Sequence, residues 1–361
     1  LKRYIGIMIG AAVFRGIPKG QTAFEHLPFY EEAGKKYGVT PCYFRFEDIT
    51  PGVRQVNAYV KNEQGTYILQ AVPRPDVIHN RVFKLKPAQR RKIKKLKKEG
   101  IIFFNEYNRY RKLKVNDILF GDPLLRPHVP ETLRADEKSV KLMMKKHDEL
   151  ILKPNSGTLG LGIVKLSKRS GGVWELTLRE KDSLISECFS ETFPPRLKEL
   201  LSRKNVIVQQ RIPLAKSRGG VFDMRVSVQK NRVGVWQVSG IVGKVAKKGW
   251  YMTNVARGGS CRTFRELMED LPHLTPEGVY ENMEGLAISA AGLLEKHLPP
   301  LADLGFDMGI TEEGFPMFIE CNCRDLRYSF KNAGMMEEWK NTHVSPVGYA
   351  CHLLEAAEAR G

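Results

Sequence analysis

The chain has 361 residues, 42% of them hydrophobic, and a formal net charge of +18 from 58 Lys and Arg against 40 Asp and Glu. It is long enough for two or three domains with a sizeable core, and no apolar run approaches the roughly 18–20 residues that cross a bilayer. Six scattered cysteines give no disulfide framework and fit a reducing cytoplasm, while the charge calls for an anionic partner.

In chain order, Tyr4 to Ile9 is a β-prone run ending at Gly10, despite basic residues before it that faintly imitate a signal peptide. Helical spacing over Thr22 to Tyr37 stops at Gly38, and Pro41 to Phe46 reads as a second strand, so a small parallel α/β unit is expected. Tyr59 to Val72 reads as a hairpin and Pro73 to Arg81 as a strand with its exit loop. A basic run, Lys84 to Lys98, and a short strand, Ile101 to Phe104, complete a first domain over 1–105. The basic run reads as a solvated helix or linker; no nucleic-acid module signature accompanies it.

A second domain, 106–205, begins with a helix over Asn108 to Phe120 and a Pro-rich extended LRPHVPET segment, followed by a helix over Glu137 to His147. The strand Glu149 to Pro154 then enters a glycine-rich turn, Asn155 to Gly162. Strands at Ile163 to Leu166 and Val173 to Leu178 and a helix from Pro194 to Ser202 follow. In a third domain, 206–361, VIVQQR reads as a strand, and Met224 to Gln229 pairs with Val233 to Gly240. Tyr280 to Leu298 is a helix with Met283, Leu286, Ala287, Ala290 and Leu294 on one face, and Pro346 to Ala359 is a terminal helix.

Three features carry chemistry. The turn Gly157-x-x-Gly160-x-Gly162 follows a strand ending in Lys153. Its glycines let backbone N–H groups approach an anion, but it leads into a strand, so it is neither a Rossmann turn nor a P-loop. Late in the chain, LGFDMGITEEGFPMFIECN reads as a hairpin that brings Asp307 opposite Glu320 and Asn322. Two carboxylates and an amide are hard oxygen ligands of the kind Mg²⁺ takes while it holds substrate phosphates. Cys321 and Cys323 face the other way; a zinc half-site there lacks a second pair at ligand spacing.

The ordered set of Lys112, Lys153 with its glycine turn, VIVQQRI, FDMRVSVQ, TNVARGG, Asp307, Glu320 and Asn322 resembles the ATP-grasp superfamily. More narrowly it resembles the YheC/YheD-type endospore coat-associated proteins. The resemblance implies an α/β N-terminal pre-grasp domain followed by an α+β two-lobed ATP-grasp domain. It implies ATP with Mg²⁺, two ions, and a ligase that joins a carboxylate to an amine through an acyl phosphate. The partner would be an anionic small molecule or peptide, spore coat proteins among them, and the location cytoplasmic or coat-associated.

Carried over by position, Lys112 and Lys153 contact ATP phosphates under a loop containing Gly157 and Gly160. Gln209, Gln210 and Ile212 meet the adenine with an open strand edge, and Asn254 lies near the phosphates. Arg225 and Lys153 act in catalysis, and Asp307, Glu320 and Asn322 hold the metal. One departure is Asn322-Cys323-Arg324, where the family has Asn-x-Pro. Two other readings stand beside the ligase: a non-catalytic nucleotide-binding component of the spore coat, and nucleic-acid binding through Lys84 to Lys98. Arg257, Arg324 and Arg327 are read either as clamps for a substrate carboxylate or as surface arginines.

Overall fold

The computed structural model describes residues 2–157, 162–180, 183–203, 205–247, 249–250, 253 and 258–359, and within these the chain builds three β-sheets. The first uses β1 (Tyr4–Met8), β2 (Thr40–Phe44), β3 (Gln55–Lys61), β4 (Tyr67–Pro73), β5 (Val77–Asn80) and β6 (Ile102–Phe104), with helices α1 (Ala11–Gly16), α2 (Leu27–Tyr37) and α3 (Pro87–Lys98) between them. Its order is β4-β3-β2-β1-β5-β6. The four strands β2, β1, β5 and β6 are parallel, and the β3–β4 hairpin adds an antiparallel edge. Helix α2 starts five residues later than its spacing suggests, because Pro28 in the first turn suits a helix start.

The second sheet is antiparallel. Its elements are α4 (Lys112–Gly121), β7 (Thr132–Arg134), α5 (Glu137–Lys146), β8 (Glu149–Pro154), β9 (Val164–Lys168), β10 (Trp174–Glu180), β11 (Ser183–Phe189), α6 (Pro195–Ser202) and β12 (Val206–Gln210), with strand order β11-β10-β9-β8-β12-β7. Helix α4 begins at Lys112 rather than Asn108. The Asn108 side chain is held outside it, donating to the carbonyls of Asn80 and Val82 at 2.7 and 3.0 Å. Val115 and Leu119 of α4 pack into the core of the third sheet.

That third sheet holds β13 (Lys216–Ser217), β14 (Gly220–Lys230), β15 (Trp236–Val245), β16 (Ser260–Thr263), β17 (Asp303–Ile310) and β18 (Pro316–Asn322), ordered β16-β15-β14-β17-β18 with β13 on β14. Helices α7 (Phe264–Glu269), α8 (Pro276–His297), α9 (Tyr328–Asn332) and α10 (Met336–Glu358) complete the chain. The α8 stripe Met283, Leu286, Ala287, Ala290 and Leu294 is buried against the sheet as its periodicity requires.

The terminal helix differs from expectation. It starts at Met336, not Pro346, and carries Pro346 in its interior. A proline there leaves the carbonyl four residues back without its helical donor. That carbonyl belongs to Thr342, and the Gln229 amide of β14 donates to it at 2.7 Å. Helix α10 then crosses to the first sheet, where Val347, Tyr349, Ala350, Cys351 and Leu354 pack with Ile5, Ile7 and Tyr30.

Beneath α2, the Tyr43 hydroxyl donates to Glu31 Oε1 at 2.7 Å. Burial pushes the Glu31 carboxyl up to about 7, against the opposing pull of that hydrogen bond and of Lys61. The folded state therefore holds this proton more tightly than the unfolded state, and stability falls as pH rises from about 4.5 to about 7. Glu31→Gln, which keeps the acceptor, is expected to remove that slope and raise stability at pH 8 by roughly 2–3 kcal/mol. Urea unfolding at pH 5 and pH 8 measures both.

Candidate active site

A cleft of about 500 Å³ lies between the second and third sheets, a size suited to a small ligand. Ten of the positions read from sequence line it: Lys112, Lys153, Gly157, Gln209, Gln210, Ile212, Arg225, Asp307, Glu320 and Asn322. Gly160, Asn254 and Arg257 lie outside the described residues.

Lys153 is buried on β8. Burial, and then the charge of Lys112, lower its pKa to about 8. The two lysines are tied together by Asn155, the first residue past β8. Its carbonyl accepts the Lys112 N–H at 3.0 Å, and its side-chain oxygen accepts the Leu113 N–H at 2.9 Å. Asn155 thus serves the free N–H groups at the start of α4 and fixes Lys112 relative to the glycine turn. Nothing in the local sequence marks that role.

Opposite, Asp307 pairs with Glu320 across β17 and β18, with a bulge after Asp307, and Gly305 pairs with Asn322. The Asn322 amide nitrogen lies 3.3 Å from Asp307 Oδ2, and Glu320 stands opposite Asp307 in the register, as the hairpin reading expects. Asp307 also accepts from Arg225 Nε at 2.9 Å and from Lys244 Nζ at 2.8 Å. Burial raises its carboxyl, but Arg225 and Lys244 outweigh that and hold it well below the usual carboxylate range. Glu320 forms an ion pair with Lys112.

The sequence reading missed two groups here. Lys244 sits between Asp307 and Asp223, 2.8 Å from each carboxylate, and Thr253 donates to Asp223. Its signal was the one that exposed Lys153, a lone lysine in the apolar strand WQVSGIVGKV. Asp325 accepts from Arg225 Nη1 at 3.0 Å and from the Ser227 hydroxyl, and so aims the guanidinium. Gly305 makes room for this. A Cβ there would lie 2.8 Å from the Asp325 carboxyl and 3.0 Å from Arg225 Nη1.

Two expectations need correction. Strand β12 is not an open edge: β8 and β7 pair with it on its two sides, Gln209 standing opposite both Ile151 and Thr132. The uniformly apolar VIV marks burial of both faces of the strand and does not report on its edges. The ladder ends at Gln210, and the chain then turns through Ile212 and Leu214 along the cleft wall. Arg327 is neither a surface residue nor a clamp. It is fully buried, bound to Asp303 at 2.5 Å and to the Tyr30 hydroxyl at 2.9 Å. Arg324 does line the cleft, 3.3 Å from Glu25.

Among the described residues no group of three or more His, Cys, Asp or Glu side chains is placed to hold a metal, so the zinc reading of Cys321 and Cys323 gains no partner. The set Asp307, Glu320 and Asn322 supplies two carboxylates and an amide. Such a partial oxygen shell fits Mg²⁺, which completes its coordination with phosphate and water. No described helix is long and apolar enough to cross a membrane.

A mixed α/β sheet followed by two antiparallel sheets with a lysine- and carboxylate-lined cleft between them defines an ATP-grasp fold. The solved ATP-grasp ligase PsnB, complexed with minimal precursor, superposes on it with a TM-score of 0.53 over 99% of both chains at 15% identity. The same ligase, with a phosphomimetic precursor variant, Mg and ADP, gives 0.52. The chain belongs to the YheC/D-like ATP-grasp family, whose model matches residues 100–353. It is similar to two endospore coat-associated proteins of Bacillus subtilis (strain 168). With YheD it shares 26% identity over 79% of this chain and 64% of that protein; with YheC, 23% over 90% of this chain and 91% of that one.

Proposed function

We propose that the protein is an ATP-dependent carboxylate–amine ligase that forms an acyl phosphate and then an amide, releasing ADP and phosphate. The observation that carries this reading is the meeting of Lys112, Lys153, Arg225, Asp307, Glu320 and Asn322, drawn from four separate stretches of chain, in one cleft.

In this reading Ile151, Ile163, Ile212, Leu214 and Ile319 form the apolar walls for the adenine. Lys112 and Lys153 bind the phosphates beside the glycine turn that Gly157 opens; phosphate contact is also the role proposed for Gly160 and Asn254, which lie outside the described residues. Asp307, Glu320 and Asn322 would hold Mg²⁺, two ions, which would supply positive charge for the phosphoryl transfer. Arg225, aimed by Asp325, faces the transferring phosphoryl group. A carboxylate oxygen of the substrate attacks the γ-phosphorus as ADP leaves; the amine then attacks the acyl carbon and expels phosphate. Such transfer needs positioning and charge neutralisation rather than a covalent enzyme group. Lys244 holds Asp223 and Asp307 in place while the site is being filled.

The names of the two Bacillus relatives support a place at the endospore coat; the substrate carboxylate we propose belongs to an acidic amino acid, a peptide or a coat protein. ADP release in the presence of ATP, Mg²⁺ and a panel of acidic peptides and amines tests the reading, and amine-dependent ADP formation is expected. Tight ATP binding without ADP release across the panel would instead make the protein a nucleotide-binding structural component.

A further inference from the structure

Between Lys84 and Lys98 there are nine basic side chains and no acidic one. Helix α3, which carries most of them, buries only Ile93 and Leu96. Three of the nine are engaged: Lys97 pairs with Glu106 at 2.6 Å, Lys92 donates to the Phe46 carbonyl at 3.1 Å, and Arg90 lies over the Tyr107 ring. Lys84, Lys86, Arg91, Lys94, Lys95 and Lys98 are exposed and, among the described residues, pair with no carboxylate. Arg91, Lys94, Lys95 and Lys98 are neighbours at three- and four-residue spacing, so they repel one another, and an anionic partner along that face would relieve the repulsion.

The position of this face matters as much as its charge. Phe83, immediately before the run, lines the cleft with 40% of its surface exposed, and Arg109 lies over its ring. Phe24, 44% exposed, lines the cleft too, its ring centroid 5.2 Å from that of Tyr328, with Arg324 in the same wall. Aromatic and arginine side chains are the residues that dominate protein recognition. A path therefore runs from the cleft, past an aromatic mouth, onto the basic helix.

The chemistry of the face selects among anionic partners. A membrane-binding helix needs apolar side chains to insert, and those of α3 point into its own core. Single-stranded nucleic acid is held by aromatic platforms among the basic groups, and the outer face of α3 has none. An acidic polypeptide matches the charge and also brings a carboxylate to the cleft.

We propose that α3 is a docking platform for an acidic polypeptide, whose Asp and Glu side chains lie along Arg91, Lys94, Lys95 and Lys98 while one of its carboxylates enters the cleft past Phe83. This rests on the ligase reading and makes the substrate a polymer, not a free amino acid. A helix of this length spans ~18 Å, which about six extended residues cover.

Fluorescence anisotropy with a labelled decaglutamate peptide tests the platform. The triple variant Lys94→Gln, Lys95→Gln, Lys98→Gln is expected to bind roughly tenfold more weakly than wild type at low salt. A control triple on α5, Lys138→Gln, Lys141→Gln, Lys145→Gln, removes the same charge and is expected to bind as wild type does. Failure of the wild-type protein to bind the peptide, or equal loss in the two triples, overturns the proposal. So does tighter binding of single-stranded DNA that is lost in the α3 triple, which would assign the face to nucleic acid. Binding of an ATP analogue is measured on the same samples. Its absence from the wild-type protein while the peptide still docks on α3 would sink the ligase reading and, with it, the substrate role.

Discussion

Replacing Glu320 with alanine is expected to lower turnover by about a thousandfold, some 4 kcal/mol of transition-state stabilisation, and to leave the melting temperature almost unchanged. Glu320 is part-exposed, and its ion pair to Lys112 is of the kind that contributes little to folding. Asp307→Ala is expected to remove turnover and stability together. Arg225 and Lys244 both bond to Asp307, and its loss strips a counter-charge from the buried Lys244 and the part-buried Arg225. Breaking such a pairing costs about 3–5 kcal/mol. ADP release and thermal unfolding of the two variants separate a ligand from a ligand that also braces the fold. Equal turnover in Glu320→Ala and the wild type would dismiss the metal assignment.

The second large effect is expected at Asp303, which has no exposed surface and lies where the first sheet meets the third. It accepts from Arg81 at 3.0 Å, from Arg327 at 2.5 Å and from Gln229 at 2.7 Å, and His79 Nε2 lies 3.1 Å away. Glu25, also buried, pairs with Arg81 at 2.9 Å. Asp303→Ala would take from Arg81 and Arg327 the carboxylate they share and leave Glu25, already paired with Arg81 and Arg324, as the counter-charge nearby, at a cost of about 3–5 kcal/mol. Burial opposes ionisation of Asp303 and Glu25. The arginines win, Arg327 foremost at Asp303 and Arg81 at Glu25, and hold both carboxyls far below their ordinary values of 3.8 and 4.5. The unfolded chain therefore takes up these protons first. The stability they contribute is complete above those ordinary values and drains away as pH falls below them. Acid titration followed by circular dichroism is expected to show a shallower loss in Asp303→Asn, which starts from lower stability at pH 7.

Elements whose burial follows a simple period were legible. Glu149 to Pro154 was bounded to the residue, and the α8 stripe is the buried one, because each buries one face against a single neighbour. Ser183 to Phe189 was missed: most of this outer strand is exposed, and its sequence shows no apolar alternation. Pro346 misplaced the last helix because the partner that rescues the broken turn, Gln229, is over a hundred residues away in sequence. The same division holds at the site. Lys153, Asp307 and Glu320 declare themselves locally, as charge within apolar strands. Asn155 and Asp325 have their roles only once β8 meets α4 and β14 meets the loop that follows β18.

Helix α10 also constrains the order in which the molecule can be assembled. The strands of the first sheet are synthesised well before α10, yet residues of α10 cover one of that sheet's faces. Until Val347 to Leu354 have been synthesised, Ile5, Ile7 and Tyr30 lack their cover, and the nascent N-terminal sheet stays incomplete and open to wrong contacts. Such a long-range closure slows folding, and it ties completion of the first sheet to the synthesis of α10.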